Sequence, residues 1–269
     1  MKASDAVKEH ESGPLWSRYA APARFFPLAG RLVVPFYVLA AILGAIGLYI
    51  GFVIAPTDWQ QGESYRIVFI HVPAAWMSMI IYLAMAFWGL LALVLNTRLS
   101  AMMLQALAPT GAWMTFIALW TGAFWGKPTW GTYWVWDARI TSELILLFLY
   151  FGVIGLRASI DDDRKADKAC ALMAIVGAVN VPIIYFSVKW WNTLHQGASV
   201  SLTAAPKMAQ TMLVAMLIMT AAAWAYSIAT SLVRVRSLII QREPPSTIAD
   251  SSGGPQPAFA TSPPGSSGK

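Results

Sequence analysis

The sequence predicts an all-α integral membrane protein with six transmembrane helices. Three observations lead to this prediction. Hydrophobic residues make up 57% of the 269-residue chain and charged residues only 12%, whereas a typical soluble protein has about 25% charged residues. The apolar residues fall in long runs, and a helix needs roughly 20 residues to cross a hydrocarbon core about 30 Å thick. Most of the charged residues lie between these runs.

Six apolar runs are long enough, or nearly long enough, to span a bilayer: Leu32–Ala55, Ile67–Leu95, Met102–Trp125, Ile140–Leu156, Ala169–Val188 and Met208–Val233. The first run follows a polar and mixed segment and is too long for the apolar part of a signal peptide, so we expect a membrane span. The fourth run is the shortest and contains Glu143. A carboxylate inside a span is costly unless it is paired or hydrated, so we expect Glu143 to hold the external loop to the bundle and not to act directly in the site.

These runs divide the chain into three predicted parts. Residues 1–31 form an N-terminal cytoplasmic segment, residues 32–239 form the membrane domain, and residues 240–269 form a cytoplasmic tail. The membrane domain includes an external tryptophan-rich loop at residues 125–142. From Glu243 onward the chain is rich in Pro, Ser and Gly and cannot bury enough apolar surface to fold, so we expect the tail to be disordered.

The net charge of +6 predicts topology and does not require nucleic acid. With six spans both termini lie on one side, and fourteen of the nineteen Lys and Arg residues fall on that side. Cytoplasmic loops carry the excess of Lys and Arg, so both termini are predicted to be cytoplasmic. The tryptophan-rich loop and the loop that contains His195 are then external.

The tryptophans are distributed unevenly between the two predicted faces. Nine of the thirteen lie outside or in the outer half of a span: Trp59, Trp76, Trp120, Trp125, Trp130, Trp134, Trp136, Trp190 and Trp191. An interfacial aromatic belt populates both membrane faces. A belt explains some of these residues, and the excess indicates a surface that holds a flat aromatic ligand.

Two of the three histidines share the predicted outer face with these tryptophans. His71 lies near the outer end of the second span and His195 lies in the third external loop, whereas His10 lies in the cytoplasmic segment. Neutral imidazoles are axial ligands of haem iron, and indole rings stack on an apolar porphyrin plane. Zinc would usually take three or four Cys, His or carboxylate ligands. The pattern therefore favours haem.

The haem propionates would need cationic partners, because each carries a carboxylate. Arg66 and Arg139 flank the external ends of the second and fourth spans and are the main candidates, with Lys127 and Lys189 as weaker ones. Asp137 is expected to accept hydrogen bonds from backbone amides or to pair with Arg139. Cys170 is the only cysteine, which excludes an intrachain disulfide, a Cys-x-x-Cys redox pair and covalent c-type haem attachment.

Three motifs resemble those of a known family. The stretch W-G-x-x-W-x-W-D-x-R at 130–139 resembles the tryptophan-rich WWD signature of haem-handling membrane proteins. "HVPAAWMS" around His71 and "KWWNTLHQG" around His195 resemble flanking motifs of the haem exporter protein C (CcmC) family of type I cytochrome c maturation. The resemblance covers residues 27–233. Tyr133 departs from it, since many members carry tryptophan there.

This resemblance implies a non-catalytic subunit of the bacterial inner membrane. It implies that His71 and His195 ligate haem b, held non-covalently in transit, and that Trp125, Trp130, Trp134, Trp136 and Asp137 face haem or a partner. The implied partners are a periplasmic haem chaperone, an ATP-binding-cassette (ABC) ATPase, a second membrane subunit and a small single-span subunit. No G-x-x-x-x-G-K-[ST] motif is present in this chain, so the ATPase is expected to be a separate protein.

Two other functions stay open at this stage. A resident bis-histidine membrane cytochrome would keep its haem and transfer electrons, although both histidines are predicted near the surface. A permease would need several paired ionisable groups inside the spans, and only Glu143 fits that description.

Overall fold

The computed structural model describes residues 20–191, 193–195 and 208–252. This part of the chain forms eight α-helices and no β-strand. The helices are α1 (Pro22–Tyr49), α2 (Val68–Leu95), α3 (Arg98–Trp130), α4 (Ala138–Ser159), α5 (Asp163–Gly177), α6 (Asn180–Trp190), α7 (Gln210–Arg242) and α8 (Pro245–Ser252). Six helical stretches are long and apolar enough to cross a membrane, with α5 and α6 together making one of them, so the predicted six-span architecture is confirmed.

Helices α2 and α3 form the centre of the bundle. They pack along each other after a two-residue connection at Asn96 and Thr97, and α4 and α5 cover one side of the pair. Helix α7 contacts α2 and α3 on another side and packs along α1. The largest buried cluster lies between α2, α3, α4 and α5 and includes Tyr82, Met85, Leu104, Leu146 and Tyr150.

The tryptophan-rich connection between α3 and α4 is short because each helix end has its own stop signal. Helix α3 continues to Trp130, and Gly131 then adopts φ +80° and donates its N–H to the Lys127 carbonyl (3.0 Å). Glycine adopts this left-handed conformation without steric cost. Asp137 begins α4 by accepting the Ile140 N–H on its Oδ1 (2.9 Å). Residues 131–137 are therefore the only non-helical part of the loop predicted at 125–142.

The fifth span is divided at Ala178 and Val179, where the sequence predicted one continuous helix. Pro182 explains the break. A proline has no N–H to donate to the carbonyl four residues earlier, and its ring clashes with that carbonyl. Buried Asn180 at the start of α6 joins it to α4, since its Nδ2 donates to the Ser142 carbonyl (2.9 Å).

The ends of the described chain differ from the predicted boundaries. Helix α1 begins at Pro22, ten residues before the predicted span, and proline at the first helical position is favourable. The tail was predicted to be disordered from residue 240, but α7 continues to Arg242 and α8 occupies Pro245–Ser252. Ile248 of α8 packs against the buried cluster around Leu99 and Ile239, which offsets the cost of ordering. Residues 1–19 and 253–269 lie outside the described part.

Gly111 tests the packing of α3 against α4. A Cβ atom at this position would overlap the ring of Tyr150, whose hydroxyl is buried and donates to the Ser78 carbonyl (2.6 Å). We expect Gly111→Ala to destabilise the bundle by about 1–3 kcal/mol, as overpacking of a core does. The measurement is the thermal unfolding midpoint of the purified protein in detergent.

Gly155→Ala is the matched control, because nothing lies within 4 Å of a Cβ atom at that helical position. Alanine is a better helix former than glycine, so this variant should unfold at the same temperature or a higher one. Equal midpoints for Gly111→Ala and Gly155→Ala would contradict the close approach of α3 and α4.

Candidate functional site

A cavity opens at the end of the bundle where α2 and α4 begin and α3 and α6 end, which we call the site end. Including its open mouth it measures about 690 Å³, which lies within the range of small-molecule sites. Its walls come from α2, α3, the 131–137 connection, α4 and the segment around His195. They are lined by His71, Ala75, Ala118, Leu119, Gly122, Ala123, Trp125, Thr129, Trp130, Tyr133, Trp134, Arg139, Ile140, Glu143 and His195.

His71 is held in one orientation by α3. Its Nδ1 lies 3.0 Å from the Ala118 carbonyl oxygen and 3.1 Å from Thr121 Oγ1. A carbonyl oxygen only accepts, so Nδ1 carries the proton and donates it, and the lone pair is on Nε2. Gly122 also packs against this ring, since a Cβ atom there would lie 3.0 Å from His71 Cε1. His71 is therefore positioned as a metal ligand would be, with its other nitrogen hydrogen-bonded to the protein.

His195 faces His71 across the cavity. The two ring centres are 6.4 Å apart, and the ring planes are tilted by 35°. With a metal–imidazole bond of about 2 Å on each side and about 1 Å from nitrogen to ring centre, one metal ion held in line between two imidazoles separates their centres by about 6 Å. The observed spacing matches this arrangement. The histidines predicted to lie at one end of the bundle are thus within joint ligation distance.

Asp137 fixes the segment that carries His195. Its Oδ2 accepts a hydrogen bond from the Thr193 hydroxyl, and Thr193 Oγ1 accepts the backbone N–H of His195 (3.1 Å). The same carboxylate caps α4 through Oδ1. Of the two roles predicted for Asp137, the structure has the hydrogen bond to a backbone amide, and Asp137 does not line the cavity.

Tryptophans form the walls beside the two imidazoles. Trp125 meets His71 edge to face with ring centres 5.6 Å apart, and Trp130 lies 6.1 Å from His195. The Trp125 indole N–H donates to Gln61 Oε1 (2.7 Å), which fixes the ring. Trp134 also lines the cavity, and its buried Nε1 has no hydrogen-bond partner within the described residues.

Trp136 differs from the other predicted tryptophans. It lies outside the cavity, packs against Trp134 with ring centres 5.4 Å apart, and is 76% exposed. Its indole is therefore presented at the surface next to the cavity wall. The structure brings Trp125, Trp130 and Trp134 to the ligand space and leaves Trp136 on the outside.

The two candidate arginines occupy different places. Arg139 lines the cavity, and its Nη1 donates to the Ile184 carbonyl (2.8 Å), which leaves further N–H groups for an anion. Arg66 does not line the cavity. Its guanidinium pairs with Glu63 and donates to the Gly51 carbonyl (2.5 Å). Arg139 is thus the arginine that can reach a ligand carboxylate in this cavity.

Glu143 lines the cavity, whereas the sequence predicted only that it holds the external loop to the bundle. It is buried, lines the cavity, and accepts a hydrogen bond from the Ser78 hydroxyl (2.7 Å). The bond joins α4 to α2, not the external loop to the bundle, and the carboxylate also borders the cavity. A charged residue inside an apolar span is the sequence signal for such a position.

Thr121, Gly122, Thr193 and Gln61 were missed by the sequence analysis. Thr121, Gly122 and Gln61 each contact a cavity side chain from another element. Thr193 links the backbone of His195 to Asp137. Residue type alone carries no signal for such contacts. In the described part of the chain, no three His, Cys, Asp or Glu side chains form a metal-binding group.

Removing the Asp137 carboxylate should loosen the His195 segment. Asp137→Ala removes the α4 cap and the acceptor of Thr193, so we expect a loss of about 0.5–2 kcal/mol in stability together with weaker ligand binding in the cavity. Asp162→Ala is the matched control, because Asp162 caps α5 through the Lys165 N–H (2.9 Å) at the other end of the bundle.

Thermal unfolding and ligand titration should separate these two variants. Both should lower the unfolding midpoint, and only Asp137→Ala should weaken binding. If the two aspartates have equal effects on binding, the hydrogen bonds from Asp137 to the His195 segment do not position the ligand.

Comparison with known proteins identifies the family. The family model of heme exporter protein C matches residues 15–249. The heme exporter protein C of Escherichia coli K12 is 49% identical over 180 residues, which cover 67% of this chain and 74% of the relative. That of Bradyrhizobium diazoefficiens is 44% identical over 223 residues, covering 83% and 84% respectively.

A mitochondrial protein is also similar to this chain. The mitochondrial ccmC-like protein of Marchantia polymorpha, named for cytochrome c biosynthesis, is 49% identical over 159 residues, which cover 59% of this chain and 67% of the relative. The family match includes α1 to α7 and both cavity histidines. The predicted family resemblance is thereby confirmed, and this chain belongs to the heme exporter protein C family.

Proposed function

We propose that this protein binds haem b between His71 and His195 and delivers it to a periplasmic haem chaperone during cytochrome c maturation. The observation that carries this proposal is the pair of imidazoles with ring centres 6.4 Å apart in a tryptophan-lined cavity. The names of the relatives support the ligand and the process, since they refer to haem export and cytochrome c biosynthesis.

The cavity residues have complementary roles in this function. The two histidines provide axial nitrogens, and the proton on His71 Nδ1 leaves Nε2 available to iron. Trp125, Trp130 and Trp134 offer ring surfaces to an apolar macrocycle. Arg139 provides N–H donors for a propionate. Trp136 is available to a docking protein, because it is exposed beside the cavity.

The site end faces the periplasm in this proposal, and both termini lie in the cytoplasm. The distribution of positive charge supports this orientation, with fourteen Lys and Arg residues on the side of the termini and five on the other. The protein then works as a non-catalytic subunit beside an ABC ATPase, a second membrane subunit and a small single-span subunit of the inner membrane. These partners follow from the family resemblance.

The test is the absorption spectrum of the detergent-purified protein after expression with and without the haem chaperone. We expect a bis-imidazole haem spectrum without the chaperone, and transfer of that haem into a covalent chaperone adduct when it is present. A haem spectrum that the chaperone leaves unchanged would overturn delivery and favour a resident cytochrome. Absence of haem under both conditions would overturn the ligand assignment.

A further inference from the structure

Helix α3 carries a continuous row of aromatic rings on its outer surface. Trp113 stacks on Phe116 (ring centres 5.5 Å apart), Phe116 contacts Trp120 (5.8 Å), and Trp120 contacts Phe124 (5.3 Å). We call these four residues the aromatic row. Their spacing of three or four residues places them on one face of the helix. All four are 41–56% exposed, so this face is turned away from the bundle.

The aromatic row leads to the cavity. Phe124 meets Tyr133 edge to face with ring centres 6.1 Å apart, and Tyr133 lines the cavity that contains His71 and His195. Lys127 places its Nζ 5.3 Å from the centre of the Tyr133 ring. Apolar ring surface and a cation therefore meet at the cavity mouth.

The length of the aromatic row matches one leaflet of a bilayer. Eleven residues separate Trp113 from Phe124, which corresponds to about 16 Å of helix. Half of a hydrocarbon core is about 15 Å. A row of this length that ends near the site end is long enough to cross one leaflet.

A groove lies at the inner end of the row. Including its open side it measures about 940 Å³, and it is lined mainly by apolar side chains, among them Tyr37, Pro73, Trp113, Ile117, Met219 and Tyr226. Trp113 belongs both to this groove and to the aromatic row. The groove, which α1, α2, α3 and α7 form together, therefore adjoins the row at Trp113, and the row adjoins the cavity at Tyr133.

We infer that haem reaches the cavity from the bilayer along the aromatic row of α3. This inference rests on the proposed function. A ligand with an apolar aromatic plane and two carboxylates suits such a surface: its plane stacks on successive rings within the leaflet, and its carboxylates meet Lys127 at the interface. Exposed aromatic rings that only contacted lipid would have no need to contact one another as far as a cavity wall.

The test compares haem uptake from two sources by the full-length protein reconstituted in lipid nanodiscs. Haem is supplied either from haem-loaded phosphatidylcholine vesicles or as haemin from water, and formation of the bis-imidazole spectrum is followed in time. The row variant is Trp113→Leu, Phe116→Leu, Trp120→Leu and Phe124→Leu combined. The control is Phe148→Leu with Phe151→Leu, since both rings are more than half exposed on α4 and neither lines the cavity.

We expect the row variant to take up haem from vesicles at least about five-fold more slowly than wild type, as the loss of one or two ring contacts would cause. Its uptake from water and its final spectrum should equal those of wild type, and the control should match wild type throughout. If the combined variant does not fold, Trp120→Leu and Phe116→Leu are compared in the same way.

Equal uptake rates from vesicles for wild type and the row variants would overturn the inference. If the row variant also lost another subunit from the purified complex, the aromatic row would bind a partner helix and not haem. Failure of the wild type to form a bis-imidazole spectrum from either source would overturn the proposed function itself. If wild type forms the bis-imidazole spectrum and the row variants take up haem from vesicles at the same rate, only the inferred entry route is wrong and the proposed function stands.

Discussion

Replacing His71 and His195 together with alanine is expected to abolish the bis-imidazole haem spectrum. In the proposed site each imidazole would supply one of the two iron ligands, and the ring centres are 6.4 Å apart. Each single variant should retain a weaker site, because one ligand and the tryptophan walls stay in place. The haem affinity of each single variant should fall by more than about 100-fold, because losing a residue that only hydrogen-bonds to a ligand already costs about 10–100-fold.

His10→Ala is the control for these variants. His10 is the third histidine of the chain and lies outside the described residues. The measurement is haem content per protein and the position of the Soret band after purification. Wild-type haem content in the double variant would overturn the assignment of both ligands. If His10→Ala lost as much haem as the double variant, the loss would not be specific to His71 and His195.

Arg139→Gln should produce the second-largest loss of haem binding. The guanidinium lines the cavity, donates to the Ile184 carbonyl and retains N–H groups for a propionate. A hydrogen bond to a charged group contributes about 1.5–3 kcal/mol, so we expect the haem dissociation constant to rise about 10–100-fold. Titration of haemin into the purified protein measures this change.

Arg66→Gln is the matched control for Arg139→Gln. The sequence offers both arginines as propionate partners, but Arg66 is engaged by Glu63 and by the Gly51 carbonyl away from the cavity. This variant should bind haem within about two-fold of wild type, because Arg66 does not line the cavity and its partners lie outside it. Equal losses in the two variants would contradict the separation of these arginines that the structure describes.

The membrane architecture was predictable because it depends on a strong local signal. An apolar run long enough to cross the bilayer must be helical, since lipid offers no hydrogen-bond partner to the backbone. All six predicted runs lie within the six observed spans or overlap them. Helix boundaries were harder to predict, because α1 and α3 extend into segments whose composition is mixed.

Residue chemistry and topology allowed the choice of His71 and His195, but not the distance between them. Topology places both residues at one end of the bundle, whereas the spacing depends on the packing of α2 against α3 and on the hydrogen bonds from Asp137 through Thr193. These contacts join residues that are distant in sequence, and composition and periodicity carry no record of them.

The spacing of neighbouring charges in the sequence distinguishes the two arginines. Glu63 precedes Arg66 by three residues, a spacing at which opposite charges pair within one helical turn. That pairing favours a structural role for Arg66. Arg139 follows Asp137 by only two residues, too few for the side chains to meet on a helix, so its guanidinium is free to turn toward the cavity and Ile184.

Electron paramagnetic resonance of the ferric, haem-loaded protein tests the central claim most directly, because it reports the axial ligands of the iron. We predict a low-spin spectrum with two imidazole nitrogens that changes to high spin in both His71→Ala and His195→Ala. A spectrum with one or no imidazole in the wild type, or a low-spin spectrum that survives either replacement, would contradict joint ligation by His71 and His195.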